Sequence, residues 1–292
     1  QPGQDRLMDA AFSYEGAADE ASFVLGPALV GAAVALASPA TALLMAAAIL
    51  AVFGSLFALD HTAVIALDRS SLRRTAVARL LSSALVALAA AQFLIGMVFG
   101  SSQTGTSVLA TSAGEPGLTG LLHALLGVGS AVAGLALTRV PVSFPHQRRL
   151  VVFAAMLLVL SLPLLAVDSL PPLAVVLLIL GVAVAPYMIT VFSLAERITD
   201  PRRVGVAMTV LAGTTGLGYA TGSSVAGRLA DWGGHTPAYA VTVVAGLSAT
   251  VLAVSAAGVL GAAQSASPVR TCWPRPLRSV AGSSAHRRER IG

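Results

Sequence analysis

Residues 204–234 read VGVAMTVLAGTTGLGYATGSSVAGRLADWGG, and the ten residues Gly213 to Gly222 hold four glycines inside an apolar run. Glycine costs roughly 1 kcal/mol per position in a water-exposed helix, so the cluster needs a physical reason. A phosphate-cradling loop is one. It would require G-x-G-x-x-G directly after a strand and opening a helix. Here Gly216, Gly218 and Gly222 give GxGxxxG, no Lys-Ser/Thr follows, and no alternating strand precedes. The other reason is a membrane helix whose small face admits a neighbour. In lipid no water-driven force pulls helices together, and close approach comes from small residues. Gly218 and Gly222 are four apart and share one face.

Composition decides for the membrane. The chain has 292 residues, 56% hydrophobic and 11% charged, with a mean hydropathy of +0.83, against about 25% charged residues in a soluble domain. Reading for apolar runs of about 20 residues gives eight spans: 18–37, 40–59, 80–112, 118–138, 150–167, 173–195, 204–227 and 237–262. The fold class is therefore all-α, a polytopic bundle of about eight transmembrane helices. The third run is too long for one straight crossing and carries SSQTGTS, Ser101 to Ser107. It is expected to be a long or broken helix, with its polar groups facing protein or a watery cavity.

Every basic residue is arginine. Cytoplasmic connectors collect such charges, and 17 of the 18 fall in alternate connectors and the two ends, leaving only Arg228 on the other side. Both ends are accordingly expected in the cytoplasm and the chain in the cell membrane. The pI near 10.3 then follows from topology, not nucleic acid, since no aromatic–basic interleaving of the single-strand-binding kind occurs. The single cysteine, Cys272, permits no disulfide within the chain and no zinc spacing. No catalytic constellation (G-x-S-x-G, H-E-x-x-H, deep carboxylate pair) is present. A non-enzymatic protein without cofactor or metal is expected.

Eight spans, split two plus six by the longest basic connector, resemble the last two thirds of a major facilitator superfamily transporter. Four stretches carry the resemblance: FVLGPALVGA (23–32), similar to the fifth family helix; LLHALLGVGSAVAGLAL (121–137), to the eighth; GVAVAPYMITVFSLAER (181–197), to the tenth; and GLGYATGSSVAGRLADWGG (216–234), to the eleventh and its exit. The resemblance covers residues 10–262. It implies that 1–59 holds the last two helices of an N-terminal half, 60–79 a cytoplasmic linker and 80–262 a six-helix C-terminal half; the tail 263–292, rich in Pro, Ser and Arg, is expected to be disordered and basic. The resemblance further implies four preceding helices, and alternating access around a site between the halves. Two departures stand out. Gly26-Pro27 is followed by three residues and the single Gly31, where exporters commonly carry paired glycines after two. The connector RVPVSFPHQRR (139–149) lacks the Gly and Asp of the family's gating loop.

The resemblance implies a small-molecule substrate moved within a lipid bilayer, with export favoured and proton coupling open. A non-transporting fragment or helical scaffold, or the permease of an ATP-driven exporter, are the rival readings. Substrate-cavity candidates are Gln103, Thr104, Thr106 and neighbouring Ser107 on the third span, and Tyr187 with Thr190 after Pro186 on the sixth. Coupling candidates are Glu15, Asp19 and Glu20. An acid facing the cavity could carry a proton, but these three at the inner membrane edge also suit the positive end of a helix, the favoured reading because no acid lies deeper in any span. His123 is expected at the interface. Gly26, Pro27, Gly31, Gly218 and Gly222 are the expected helix-packing positions.

Overall fold

The structure is a computed structural model, and it describes residues 22, 25–60, 82–137, 145–200 and 203–266. Among the described residues eight apolar helices follow one another. They are α1 (Leu25–Leu36), α2 (Pro39–Leu59), α3 (Ser83–Ser112), α4 (Leu118–Leu137), α5 (His146–Ser161), α6 (Leu170–Ile198), α7 (Val204–Gly233) and α8 (His235–Ala266). No strand occurs among the described residues. All but α1 are long and apolar enough to cross a bilayer, α5 once it is continued by the 3-10 turn Leu162–Ala166. The protein is an all-α, polytopic membrane bundle. Residues 61–81, the span start 18–21, the connector 138–144 and the tail 267–292 lie outside the described residues, and with them Glu15, Asp19, Glu20 and Cys272.

Local chemistry sets the ends. Ser38 accepts the Thr41 N–H at 3.1 Å ahead of Pro39 in the first turn of α2, and Ser82 accepts the Leu85 N–H at 3.2 Å to open α3. Such side-chain oxygens satisfy N–H groups that a helix start leaves unmet. Pro171 and Pro172 sit in the first turn of α6, where a missing N–H costs nothing, so this helix starts before the apolar run read from sequence. α7 likewise runs past residue 227, through Arg228, because no breaker intervenes until Gly234 at φ 74°. A positive φ suits glycine. The third span is one unbroken 30-residue helix, about 45 Å long at 1.5 Å per residue.

Packing follows the glycines. A Cβ on Gly218 would meet the Phe93 carbonyl and one on Gly222 the Met97 backbone; from the other side, Gly96 abuts Thr215 and Gly100 abuts Tyr219. α3 and α7 therefore run in the same direction with their backbones in contact. α4 and α6 repeat the arrangement through Gly129 against the Leu178 carbonyl and Gly181 against that of Leu126. A third crossing joins α1 to α4: Gly120 lies against the Pro27 carbonyl and Gly31, and Gly117 against Ala35. Gly26, by contrast, has nothing within 4 Å of where a Cβ would stand, so the close approach on α1 belongs to Gly31.

Leu88 and Ile95 of α3, Leu157 of α5, and Leu173, Leu177, Leu180 and Tyr187 of α6 make the core. Polar pairs tie α8 to α3: Ser101 Oγ lies 2.8 Å from Thr242 Oγ1 and Thr106 Oγ1 lies 3.3 Å from Tyr239 Oη. The outward surface is apolar, including Leu43, Phe53 and Phe57 of α2, whose one buried residue is Ala42. A soluble protein would not sustain such a surface.

Candidate functional site

α1, α3, α4, α6 and α7 leave between them a cavity of about 560 Å³, within the range of small-molecule sites. It lies near the middle of the spans. α3 contributes Phe99 and Gln103, α4 His123, Leu126 and Ser130, α6 Val184, Met188 and Phe192, α7 Thr215 and Tyr219, and α1 Pro27. The glycine crossings create it. Where α3 meets α7 and α4 meets α6 backbone to backbone, the two pairs close tightly on themselves and the gap is left between pairs.

The wall is mainly apolar, and no described lining residue carries a formal charge at neutral pH apart from what His123 would gain on protonation. Its polar groups are few. Tyr219 Oη donates to Gln103 Oε1, linking α7 to α3 across the cavity edge. His123 is buried, and its Nδ1 has no hydrogen-bond partner among the described residues. Ser130, two turns further along α4, is also buried. An isolated imidazole, an amide and two hydroxyls can fix the polar end of a solute whose bulk rests on Phe99, Met188 and Phe192.

The residues singled out from sequence separate. Gln103 lines the cavity. Thr104 Oγ1 donates to the Gly100 carbonyl of its own helix at 2.8 Å, and Thr106 faces α8 through Tyr239. Tyr187 is fully buried and donates to the Ala91 carbonyl at 2.9 Å. Thr190 Oγ1 donates to the Pro186 carbonyl one turn back at 2.6 Å. None of these four is on the wall. Their hydroxyls are engaged with protein, as polar groups in lipid-embedded helices commonly are. His123, expected as a satisfied histidine early in its span, is instead buried with its Nδ1 unpartnered among the described residues. The crossings of α1 and α6 over α4 enclose it. Its i, i+4, i+7 relation to Gly127 and Ser130, all three on the wall, is the sequence signal that would have found it.

Among curated proteins, the chain is 25% identical over 257 residues to the uncharacterized MFS-type transporter y4rN of Sinorhizobium fredii, a match that takes in 85% of this chain and 62% of that relative's length. No solved structure matches. The sequence pattern of the Major Facilitator Superfamily matches residues 88–281, from the first turns of α3 onward through α8, and with two thirds of its length inside that match the chain belongs to the Major Facilitator Superfamily.

Proposed function

We propose that this transporter-family chain moves an uncharged, largely apolar small molecule across the cell membrane by alternating access, in the export direction. The cavity carries the reading: its described wall is mainly apolar, has four polar side chains besides Thr215, whose hydroxyl donates to the Leu211 carbonyl of its own helix, and holds no fixed charge. A charged solute would shed its hydration there without a counter-charge, at a cost of several kcal/mol, whereas an apolar one gains about 25 cal/mol for each Å² it buries. Gln103, His123, Ser130 and Tyr219 hold the solute's hydrogen-bonding group. In this reading α1 and α2 belong to one half of the transporter and α3 to α8 to the other, joined through 60–79, and the arginine-rich connectors face the cytoplasm. Export is supported by the Gly26-Pro27 of α1, although the single Gly31 departs from the paired glycines that exporters commonly carry there. No enzymatic step is involved.

The test uses membrane vesicles turned inside out, an imposed proton gradient, and the neutral fluorescent probe N-phenylnaphthylamine. Gradient-dependent accumulation that falls in His123→Leu and Gln103→Leu vesicles is expected. Equal accumulation in vesicles lacking the protein would sink the reading. Accumulation only of organic ions would replace its substrate class.

A further inference from the structure

Gln92 is the only polar side chain between Ser83 and Gly100. It is fully buried, and neither its Oε1 nor its Nε2 has a hydrogen-bond partner among the described residues. A side-chain amide brings an acceptor and two donors, and groups left unmet in an apolar interior forfeit their hydration with nothing in return. The rest of α3 shows no such neglect. Ser101, Ser102, Thr104, Thr106 and Ser112 all have partners.

Its register explains the exception. Gln92 precedes Gln103 by eleven residues and Phe99 by seven, close to three turns and two turns of a helix with about 3.6 residues per turn. The three share a stripe, and Phe99 and Gln103 line the cavity while Gln92 does not. Gln92 lies roughly 10 Å further along the axis, at about 1.5 Å per residue, toward the Ser83 end. Leu88, one turn beyond, is fully buried and apolar. The polar stripe thus continues past the cavity floor by one residue and stops.

We propose that Gln92 is a second binding station for the solute's hydrogen-bonding group, closed in this conformation and joined to the cavity when the helices around it part. This rests on the cavity being the transport site. An amide kept for such an opening bears an unmet cost in the closed state and recovers it in the open one. The proposal also places the direction of opening: along α3 toward Ser83, the end that the arginine distribution assigns to the cytoplasm.

The experiment is thiol accessibility in the full chain in membranes, with Cys272→Ser removing its only cysteine. Gln92→Cys, Gln103→Cys and Ala91→Cys are each treated with hydroxyethyl methanethiosulfonate, a small water-soluble reagent that needs a hydrated thiol. Ala91 is at the same depth and buried, but turned about 100° around the helix, so it controls for face. Labelling rate scales with the fraction of time a site is open, and Gln92→Cys is expected to react at least about tenfold faster than Ala91→Cys. N-phenylnaphthylamine is expected to slow labelling at both 92 and 103. Inertness at 92 equal to that at 91, with 103 reactive, overturns the proposal and leaves the cavity reading intact. Inertness at both 92 and 103 overturns both. Protection by the probe at 103 alone reduces Gln92 to a water-filled crevice and also overturns it. As a check independent of cysteine chemistry, Gln92→Leu should unfold at no lower temperature in detergent, since it removes an unmet amide, yet transport the probe more slowly; an unchanged transport rate counts against the station.

Discussion

Two glycines five residues apart on α7 give a stringent comparison at the level of single residues. Gly218 stands against the Phe93 carbonyl, while Gly213 has nothing within 4 Å. Gly218→Ala should therefore destabilise by about 1–3 kcal/mol, the usual cost of overpacking, and lower the unfolding temperature in detergent. Gly213→Ala should be neutral or stabilising by up to about 1 kcal/mol through helix propensity. Equal unfolding temperatures for the two would mean that the α3–α7 contact is not made. On the cavity wall, His123→Leu should weaken probe binding by roughly 0.5–1.5 kcal/mol, the net worth of one hydrogen bond, and His123→Asn should recover part of it; fluorescence titration reads both. The glycine face was legible in the sequence because an i, i+4 pair fixes a face whatever neighbours it. His123 was legible only as a position on one face with Gly127 and Ser130; its burial depends on α1 and α6 crossing α4 above it, and no local pattern specifies a crossing. The hydroxyls of Thr104 and Thr190 illustrate the same limit. Composition marks them as polar at depth, but only the rotamer shows that each is spent on its own helix.

Among whole elements, the α1–α4 crossing is the one that brings the first pair of helices to the rest, since α2 stands with nearly every side chain outward. It can be trapped. A Cβ on Gly117 would stand 2.6 Å from that of Ala35, so the backbones need part by only about 1 Å to reach the roughly 3.5–4.5 Å spacing of a disulfide. Oxidising Ala35→Cys/Gly117→Cys, with Cys272→Ser, should form an intramolecular bond that changes gel mobility without reductant. Failure to cross-link, with both thiols shown to be reactive, would mean α1 sits elsewhere on α4. The spans themselves were readable from apolar run length, and six of the eight agree with the helices within a few residues at each end. The boundaries that moved are those where the sequence holds no apolar cue. α7 continues through Arg228 and Asp231 on helix propensity alone until Gly234 stops it, and α6 starts early on its proline pair.

For the whole molecule, the asymmetry of the arginines predicts its orientation. Cys272 should resist an impermeant thiol reagent in intact cells and react once the cells are opened; strong labelling from outside would invert the topology and with it the direction assigned to Gln92. The family was legible before any geometry, from eight spans and four short stretches, whereas the cavity was not, since it is a property of the space between helix pairs. Those pairs differ from ordinary helix contacts in one mechanical respect. Where knobs interlock in holes, one helix cannot tilt against another without lifting side chains over one another. Gly31 against Gly120 has no knobs to lift. Such a contact is stiff against separation and soft against rotation, which is the behaviour of a fulcrum: a swing of α1 about it would move the far end of the helix and leave Pro27, whose carbonyl lies against Gly120, nearly in place on the cavity wall.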